Sequence, residues 1–175
     1  MSSLSDVLLS KIDAIFVMGV SGSGKTTAGS QLADSLGWQY KDGDDFHSDA
    51  NVAKMKSGIP LNDTDRLPWL TAINCYCRAN RGVVIGCSAL KKSYRNLLRN
   101  GIQCRFVFLK VDRNLLEKRV RRREGHYMPP ELLGSQLATL EDPSAEDDVI
   151  TIDIGEDQDS SVLNDHIRER LHRTV

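Results

Sequence analysis

A glycine-rich stretch near the N-terminus constrains this chain more than any other feature. Residues 19–26 read GVSGSGKT and match the pattern G-x-x-x-x-G-K-[ST]. Gly19, Gly22 and Gly24 permit a concave loop in which consecutive backbone N–H groups converge. A helix that begins at about Lys25 adds the partial positive charge of its N-terminus. The pattern therefore predicts a phosphate-binding loop, the P-loop, at residues 19–26.

Two positions of the P-loop supply charge and a metal ligand rather than shape. The Lys25 ammonium is predicted to lie near the β- and γ-phosphates of a nucleoside triphosphate, and the Thr26 hydroxyl suits Mg²⁺. The other predicted nucleotide contacts in the loop are Gly19, Val20, Ser21, Gly22, Ser23 and Gly24. A glycine-rich turn without a ligand is the alternative, and the segments on either side argue against it.

Those flanking segments indicate an α/β fold. The apolar run at residues 14–18 predicts a buried strand, and the spacing of Ala28, Leu32 and Leu36 predicts a helix that Gly37 closes. Similar runs predict further strands at 38–41, 82–87, 104–110 and 149–153. We therefore expect a three-layer sandwich, a five-stranded parallel sheet with helices on both faces, formed as a single domain by residues 1–175.

Acidic residues follow the predicted second strand. Asp42, Asp44 and Asp45 flank Gly43, at the edge of a parallel sheet where ligands gather. One of Asp42 and Asp44 could hold Mg²⁺ through water while the other accepts a substrate hydroxyl, and a continuing strand would point both the same way. A solvated Asp-Gly turn is the alternative. Because no aspartate ends the third strand, these aspartates are the expected metal contacts.

Basic residues occur near two further predicted turns. Arg66 follows a helix cap at residue 62 or 63, where it is either a capping charge or a fork for a substrate carboxylate. Lys92 and Arg95 follow the third strand, where they either begin a solvated helix or face the ligand. The sequence alone leaves both choices open.

A cluster of arginines follows the fourth strand. On a helix Arg119, Arg122 and Arg123 share one face, which is usually a solvated face. Gly125 and the prolines after it favour a hinged lid at about 119–131, whose guanidinium groups fold over a transferring phosphate. A nucleic-acid patch is a third possibility, which the absence of interleaved aromatic residues disfavours.

The overall charge also argues against polyanionic partners. The chain has 23 Lys and Arg against 24 Asp and Glu, a net charge of −1, so neither nucleic acid nor a membrane is an expected partner. Residues 1–10 lack the charged start and long apolar core of a secretory signal. The four cysteines do not have zinc-ligand spacing. We expect a cytoplasmic enzyme with a small-molecule substrate.

Four further segments, in this order along the chain, resemble those of one enzyme family. They are DGDDFH at 42–47, GIPLNDTDRLPWL at 58–70, CSALKKSYR at 87–95 and REGHYMP at 123–129. Together with the P-loop they look like the gluconokinase family. The resemblance implies a P-loop kinase domain like that of shikimate and nucleoside monophosphate kinases, often as a homodimer. It also implies phosphorylation of the 6-hydroxyl of D-gluconate by MgATP, which feeds 6-phosphogluconate to the pentose phosphate or a related sugar-acid route.

The resemblance implies roles for individual residues as well. Asp42 would lie near the metal, and Asp44 would bind the acceptor, orienting its hydroxyl or accepting its proton. The cations expected at the gluconate carboxylate and the transferred phosphoryl group are Arg66, Lys92 and Arg95, with His47 as a hydroxyl partner. Arg119 and Arg123 would act from the lid. The expected catalytic residues are Lys25, Asp44 and Arg123.

Two alternative functions remain open from the sequence. A kinase of the same fold for another small molecule, such as shikimate, adenylylsulfate or a nucleotide, would share the P-loop but not the PWL and CSALKK segments. A nucleotide-binding switch is the other alternative, and it lacks support. The sequence has no Asn-Lys-x-Asp segment to read guanine, and its only Asp-x-x-Gly, at 34–37, falls in the predicted helix after the P-loop.

Overall fold

The computed structural model describes residues 9–122, 131–156 and 158–174 and contains the predicted five-stranded parallel sheet. Its strands are β1 (Ala14–Met18), β2 (Gln39–Asp42), β3 (Val83–Gly86), β4 (Cys104–Val111) and β5 (Val149–Ile154). They lie in the order β2-β3-β1-β4-β5, and every neighbouring pair is parallel. The carboxyl ends of the strands therefore meet at one edge of the sheet.

Helices cover both faces of this sheet. They are α1 (Lys25–Leu36), α2 (Asp49–Lys56), α3 (Asp63–Ala79), α4 (Lys92–Arg99), α5 (Arg113–Arg122), α6 (Leu132–Thr139) and α7 (Ser160–Thr174). Helix α1 begins directly after the P-loop, and α3 begins at a capping box in which Asn62 and Asp65 each bind the other's backbone. Within the described ranges, no helix has the length and apolar character needed to cross a bilayer.

The core has two halves, one on each face of the sheet, and β1 contributes to both. Phe16 and Met18 pack with residues of α3 and α4, whereas Ile15 and Val17 pack with residues of α1 and α7. Phe16 also stacks on Phe106 of β4, with 5.0 Å between the ring centroids. All five residues of β1 are buried, so the P-loop follows a strand that is packed on both sides.

A buried ion pair fastens α4 to the segment that precedes β5. Arg95 has no exposed surface, and its Nη2 lies 2.6 Å from Oε1 of Glu146. The remaining N–H groups of Arg95 donate to Glu146 and to the carbonyl oxygens of Ala89, Leu90 and Glu141. All five N–H donors of this guanidinium are therefore satisfied within the protein.

We predict that Arg95→Ala lowers the free energy of unfolding by about 3–5 kcal/mol, because it leaves a largely buried carboxylate without its main partner. Arg99→Ala is a matched control. Arg99 also binds Glu146, with Nη2 at 2.6 Å from Oε2, but its side chain is 23% exposed, so we expect a smaller loss. Urea unfolding followed by circular dichroism measures both variants. A loss for Arg95→Ala no greater than that of the control would contradict the structural role.

Candidate active site

The P-loop forms a concave backbone surface at the end of β1. Gly22 and Gly24 have φ angles of 83° and 96°, in the left-handed region that glycine adopts without steric cost. The Nζ of Lys25 donates to the carbonyl oxygen of Val20 at 3.0 Å. Lys25 and Thr26 both line the cleft at this edge of the sheet. The loop thus has the conformation expected for holding phosphate oxygens at a helix N-terminus.

The cleft extends from the P-loop across the carboxyl end of β2. This strand ends at Asp42 and the chain enters a 3₁₀ turn, Gly43–Phe46, so the continuing strand that would align Asp42 with Asp44 does not occur. Instead, Oδ1 of Asp42 accepts the N–H of Asp44 at 2.9 Å. Both aspartates line the same cleft as Lys25. The 3₁₀ turn, rather than a continuing strand, therefore places them beside the P-loop.

Close backbone packing fixes this turn. A Cβ on Gly43 would lie 2.6 Å from the carbonyl oxygen of Gly86 at the end of β3, so any larger residue would displace the turn. On its other side, Nε1 of Trp69 donates to the carbonyl oxygen of Gly43 at 2.7 Å. Because Trp69 belongs to α3, the acidic turn is held between β3 and α3.

Negative charge is concentrated beside the P-loop. Burial is the main cause that raises the pKa of Asp42 above its usual range, and the Asp44 and Asp45 carboxylates add to it, while the hydrogen bond from the Asp44 N–H and the charge of Lys25 act in the opposite direction. Such crowding favours a bound cation. Among the described residues, no group of three or more His, Cys, Asp or Glu side chains could hold a metal ion alone. A hydroxyl at Thr26 and a carboxylate at Asp42 fit Mg²⁺, which keeps several waters and binds substrate phosphates.

His47 is a buried, neutral side chain in the wall of the cleft. Its imidazole stacks on the Trp69 ring, with centroids 4.1 Å apart, and the side chain is 3% exposed. Burial, helped by the Arg66 charge, lowers the pKa of His47 to about 4, although Asp44, 3.8 Å from Nε2, acts in the opposite direction. A neutral imidazole both donates and accepts a hydrogen bond, so His47 suits a substrate hydroxyl.

Arg66 supplies a cation to the same cleft. Its Nη1 donates to the hydroxyl of Tyr94 at 2.9 Å, and its guanidinium carbon lies 5.2 Å from the Tyr94 ring centroid. The Tyr94 hydroxyl in turn donates to Asp63. Arg66 is thus held at the cleft wall by a residue of α4, as the carboxylate-binding interpretation requires.

Two predicted substrate residues do not lie in the cleft. Arg95 is enclosed in the ion-pair network with Glu146, and all its donors are used there, so its assignment to the substrate is corrected. Lys92 is exposed at the start of α4, where its main-chain N–H donates to Glu141 at 2.7 Å. It is not among the residues that line the cleft.

Arg119 of α5 contacts the P-loop outside the cleft that holds the acidic turn. Its Nη1 donates to the carbonyl oxygen of Gly22 at 3.4 Å. It lines a second cavity of about 400 Å³, together with Thr27, Gln31 and Ser160. This cavity has room for the nucleoside end of a nucleotide whose phosphates lie in the P-loop. Arg123 and most of the predicted lid fall outside the described residues.

The similarity of this chain to known proteins extends far beyond the P-loop. A family model described as an AAA domain matches residues 15–143. The gluconokinase of Gluconobacter oxydans is 47% identical over 159 residues, which cover 88% of this chain and 89% of that protein. The chain belongs to the gluconokinase family.

Structural comparison agrees with membership of the gluconokinase family. The crystal structure of a gluconokinase from Sinorhizobium meliloti matches with a TM-score of 0.81 and 41% identity, over 91% of each chain. A shikimate kinase from Acinetobacter baumannii matches with a TM-score of 0.62 at 19% identity, over 95% of this chain and 96% of that one, which shows the fold alone. The predicted family and the predicted kinase fold are therefore confirmed, and the chain is a kinase. The lid and the roles of single residues stay predictions.

Several residues that line the cleft had no role in the sequence analysis. They are Tyr40, Met55, Leu61, Trp69, Ser88 and Gln136. Trp69 could have been found, because it stands in the PWL segment typical of gluconokinases. The sequence around Gln136 does not indicate that it lines the cleft, because the contact that places it there is with a distant segment. Its Oε1 accepts the N–H of Ser21, 115 residues away in the sequence.

We predict that His47 makes this gluconokinase-family chain less stable as the pH falls. Its pKa is about 6.5 in the unfolded chain and about 4 in the folded chain, so the unfolded chain binds the proton first. The stability that neutral His47 provides above pH 6.5 is therefore lost progressively toward pH 4. The midpoint of thermal unfolding of the wild type should fall relative to that of His47→Gln over this range.

The control for this measurement is His166→Gln, which changes an exposed histidine of α7. This variant shows how far the loss of an exposed histidine changes the midpoint over the same pH range. If the offset between the wild type and His47→Gln depends on pH no more than it does for this control, His47 is not a buried neutral histidine.

Proposed function

We propose that this chain transfers the γ-phosphoryl group of ATP to the 6-hydroxyl of D-gluconate, giving 6-phosphogluconate and ADP. The observation that carries the proposal is that Lys25, Asp44 and Arg66 line one cleft. These residues supply a phosphate-binding cation, a carboxylate for an alcohol and a cation for a carboxylate. Gluconate has a terminal alcohol and a carboxylate, so it needs all three. Gluconokinases similar to this chain over most of its length support the same acceptor.

The donor half of the site would hold ATP through backbone and charge. Main-chain amides of the P-loop, apart from those of Ser21 and Ser23, would surround the β- and γ-phosphates, and Lys25 would follow the γ-phosphate as it moves. The nucleoside would occupy the cavity beside Arg119, Gln31 and Ser160. Thr26 and Asp42 would hold Mg²⁺, directly or through water, and the ion would neutralise charge on the phosphates.

The acceptor half would present the alcohol for in-line attack. As the bond from the 6-oxygen to the γ-phosphorus forms, the bond from that phosphorus to the β–γ bridging oxygen breaks and ADP leaves. Asp44 would orient the hydroxyl and accept its proton. Arg66, held by Tyr94, would bind the gluconate carboxylate, and neutral His47 would bind another hydroxyl. Most of the rate enhancement would come from positioning and charge stabilisation.

We further propose that residues 119–131 form a lid in a single P-loop kinase domain, with Arg119 and Arg123 acting over the phosphates. The contact of Arg119 with the carbonyl oxygen of Gly22 supports its placement beside the P-loop. A cytoplasmic location is also proposed, because all four cysteines are free thiols, as in a reducing compartment. The homodimer stays a prediction that rests on the family resemblance alone.

We predict that the purified chain releases ADP from MgATP when D-gluconate is added, and not when shikimate or a nucleoside monophosphate replaces it. A coupled ADP-release assay measures the rate, and phosphorus–proton correlation NMR identifies the carbon that carries the phosphate. Lys25→Ala should be inactive, because the γ-phosphate loses its mobile positive charge. Turnover with shikimate in preference would favour another kinase of this fold. Slow hydrolysis that is independent of any acceptor would favour a nucleotide switch.

We predict that Asp44→Asn lowers kcat on the order of 100-fold or more, because an amide cannot accept the proton of the attacking hydroxyl. The affinity for ADP should be preserved, since Asp44 belongs to the acceptor side of the cleft. Kinetics and isothermal titration calorimetry measure the two quantities. Asp45→Asn makes the same charge change at an exposed neighbour that does not line the cleft. If both variants turn over at the same rate, Asp44 has no special role at the acceptor.

A further inference from the structure

Helix α6 contacts both halves of the cleft with one of its faces. Leu132 and Gln136 are four residues apart, so they lie one turn apart on the same side of the helix. Leu132 packs in a small buried cluster with Met55 and Leu61, and these two residues line the cleft. One turn later, Oε1 of Gln136 accepts the N–H of Ser21 in the P-loop at 2.7 Å. The helix therefore bridges the acceptor side and the P-loop.

Gln136 is held firmly in this position. It is 9% exposed and lines the cleft with Lys25 and Asp44. Its helix is anchored in the main core by Leu133, which is 5% exposed. Because close-packed interiors transmit displacements rather than absorb them, a shift of α6 would also shift its hydrogen-bonded partner, Ser21.

The bond to Ser21 leaves most of the P-loop available to a nucleotide. Ser21 is the third residue of the loop, and Gln136 already accepts its N–H. Phosphate oxygens would then use the amides of Gly22, Gly24 and Lys25, since the N–H of Ser23 donates to the carbonyl oxygen of Val20 at 3.2 Å. The Gln136 bond can therefore persist while ATP is bound, as a permanent link rather than a substitute for phosphate.

We propose that Gln136 is a positioning residue for phosphoryl transfer, which fixes the P-loop relative to the acceptor pocket through Ser21. The inference rests on the proposed function, because it takes gluconate as the acceptor. In-line transfer is sensitive to the separation of the reacting atoms, and a misplacement of about 1 Å can cost about 100-fold in rate. Gln136 thus affects the rate of phosphoryl transfer rather than the affinity for ATP or gluconate.

The first test is Gln136→Leu, which keeps an apolar stem of similar size and removes the hydrogen-bond acceptor. We expect kcat to fall about 10-fold to 100-fold, while the dissociation constants of ADP and of gluconate, each measured alone by calorimetry, change little. An unchanged kcat would overturn the proposal. Tighter ADP binding with an unchanged kcat would overturn it too, because Gln136 would then be a placeholder that phosphate displaces.

Leu171→Ala is the control for stability. It removes packing in α7, in the core on the other face of the sheet, and does not line the cleft, so it should lower the unfolding temperature and keep kcat at 25 °C. If Gln136→Leu behaves in the same way, Gln136 is merely structural and the proposal fails. A wild type with no gluconate-dependent ADP release would instead refute the proposed function, so the two failures are distinguishable.

Gln136→Glu gives a second readout that a structural role would not change. Its carboxylate can still accept the N–H of Ser21 but places a negative charge beside the transferring phosphate. The charged or titratable groups that line the same cleft are Lys25, Asp42, Asp44, His47 and Arg66. We expect the ratio of variant to wild-type kcat to rise as the pH falls and the introduced carboxyl group becomes neutral. A kcat no higher than that of Gln136→Leu at any pH would contradict the positioning role, because the carboxyl group keeps an acceptor for the N–H of Ser21.

Discussion

The contact between the backbone of Gly43 and the carbonyl oxygen of Gly86 determines where the carboxylates of the cleft stand. Residue Asp42 pairs with Gly86 in the sheet, and the chain must turn immediately afterwards. The turn can lie this close to β3 only because position 43 has no Cβ, which would meet a backbone oxygen that cannot rotate away. Asp42 and Asp44 therefore face the P-loop because of backbone packing, with Trp69 holding the turn from the other side.

The electrostatics of the cleft follow from this enclosure. Asp44 lies 3.8 Å from Nε2 of His47, and a carboxylate so close would ordinarily favour a charged imidazole. The effect of burial on the pKa of His47 is larger than that of Asp44, because the side chain is almost fully enclosed and stacked on Trp69. Arg66 lowers the pKa further by repelling a second positive charge. Different side chains of the cleft therefore supply positive charge, negative charge and neutral hydrogen bonding. Arg66 and Lys25 carry positive charge, the aspartates carry negative charge, and His47 provides a hydrogen bond without adding charge.

The sequence predicted well those features that depend on neighbouring residues. The parallel strands, the P-loop followed by α1 and the cap at Asn62 all follow from local patterns, and the structure contains them. Because parallel strands end at one edge, the residues just after β2 could also be placed in the cleft, where Asp42, Asp44 and His47 occur. The 3₁₀ turn could not be predicted, since it depends on the approach of Gly43 to a different strand.

Arg95 shows why contacts between distant segments escape such reasoning. An arginine that faces a ligand and one that faces a buried carboxylate give the same local pattern, because Glu146 comes 51 residues later. Arg95 nevertheless affects the cleft through the backbone. Its Nη1 donates at 2.8 Å to the carbonyl oxygen of Ala89, whose φ of 47° costs a non-glycine residue about 1 kcal/mol. Since the preceding residue, Ser88, lines the cleft, the buried guanidinium stabilises the strained backbone that shapes the site without touching a substrate.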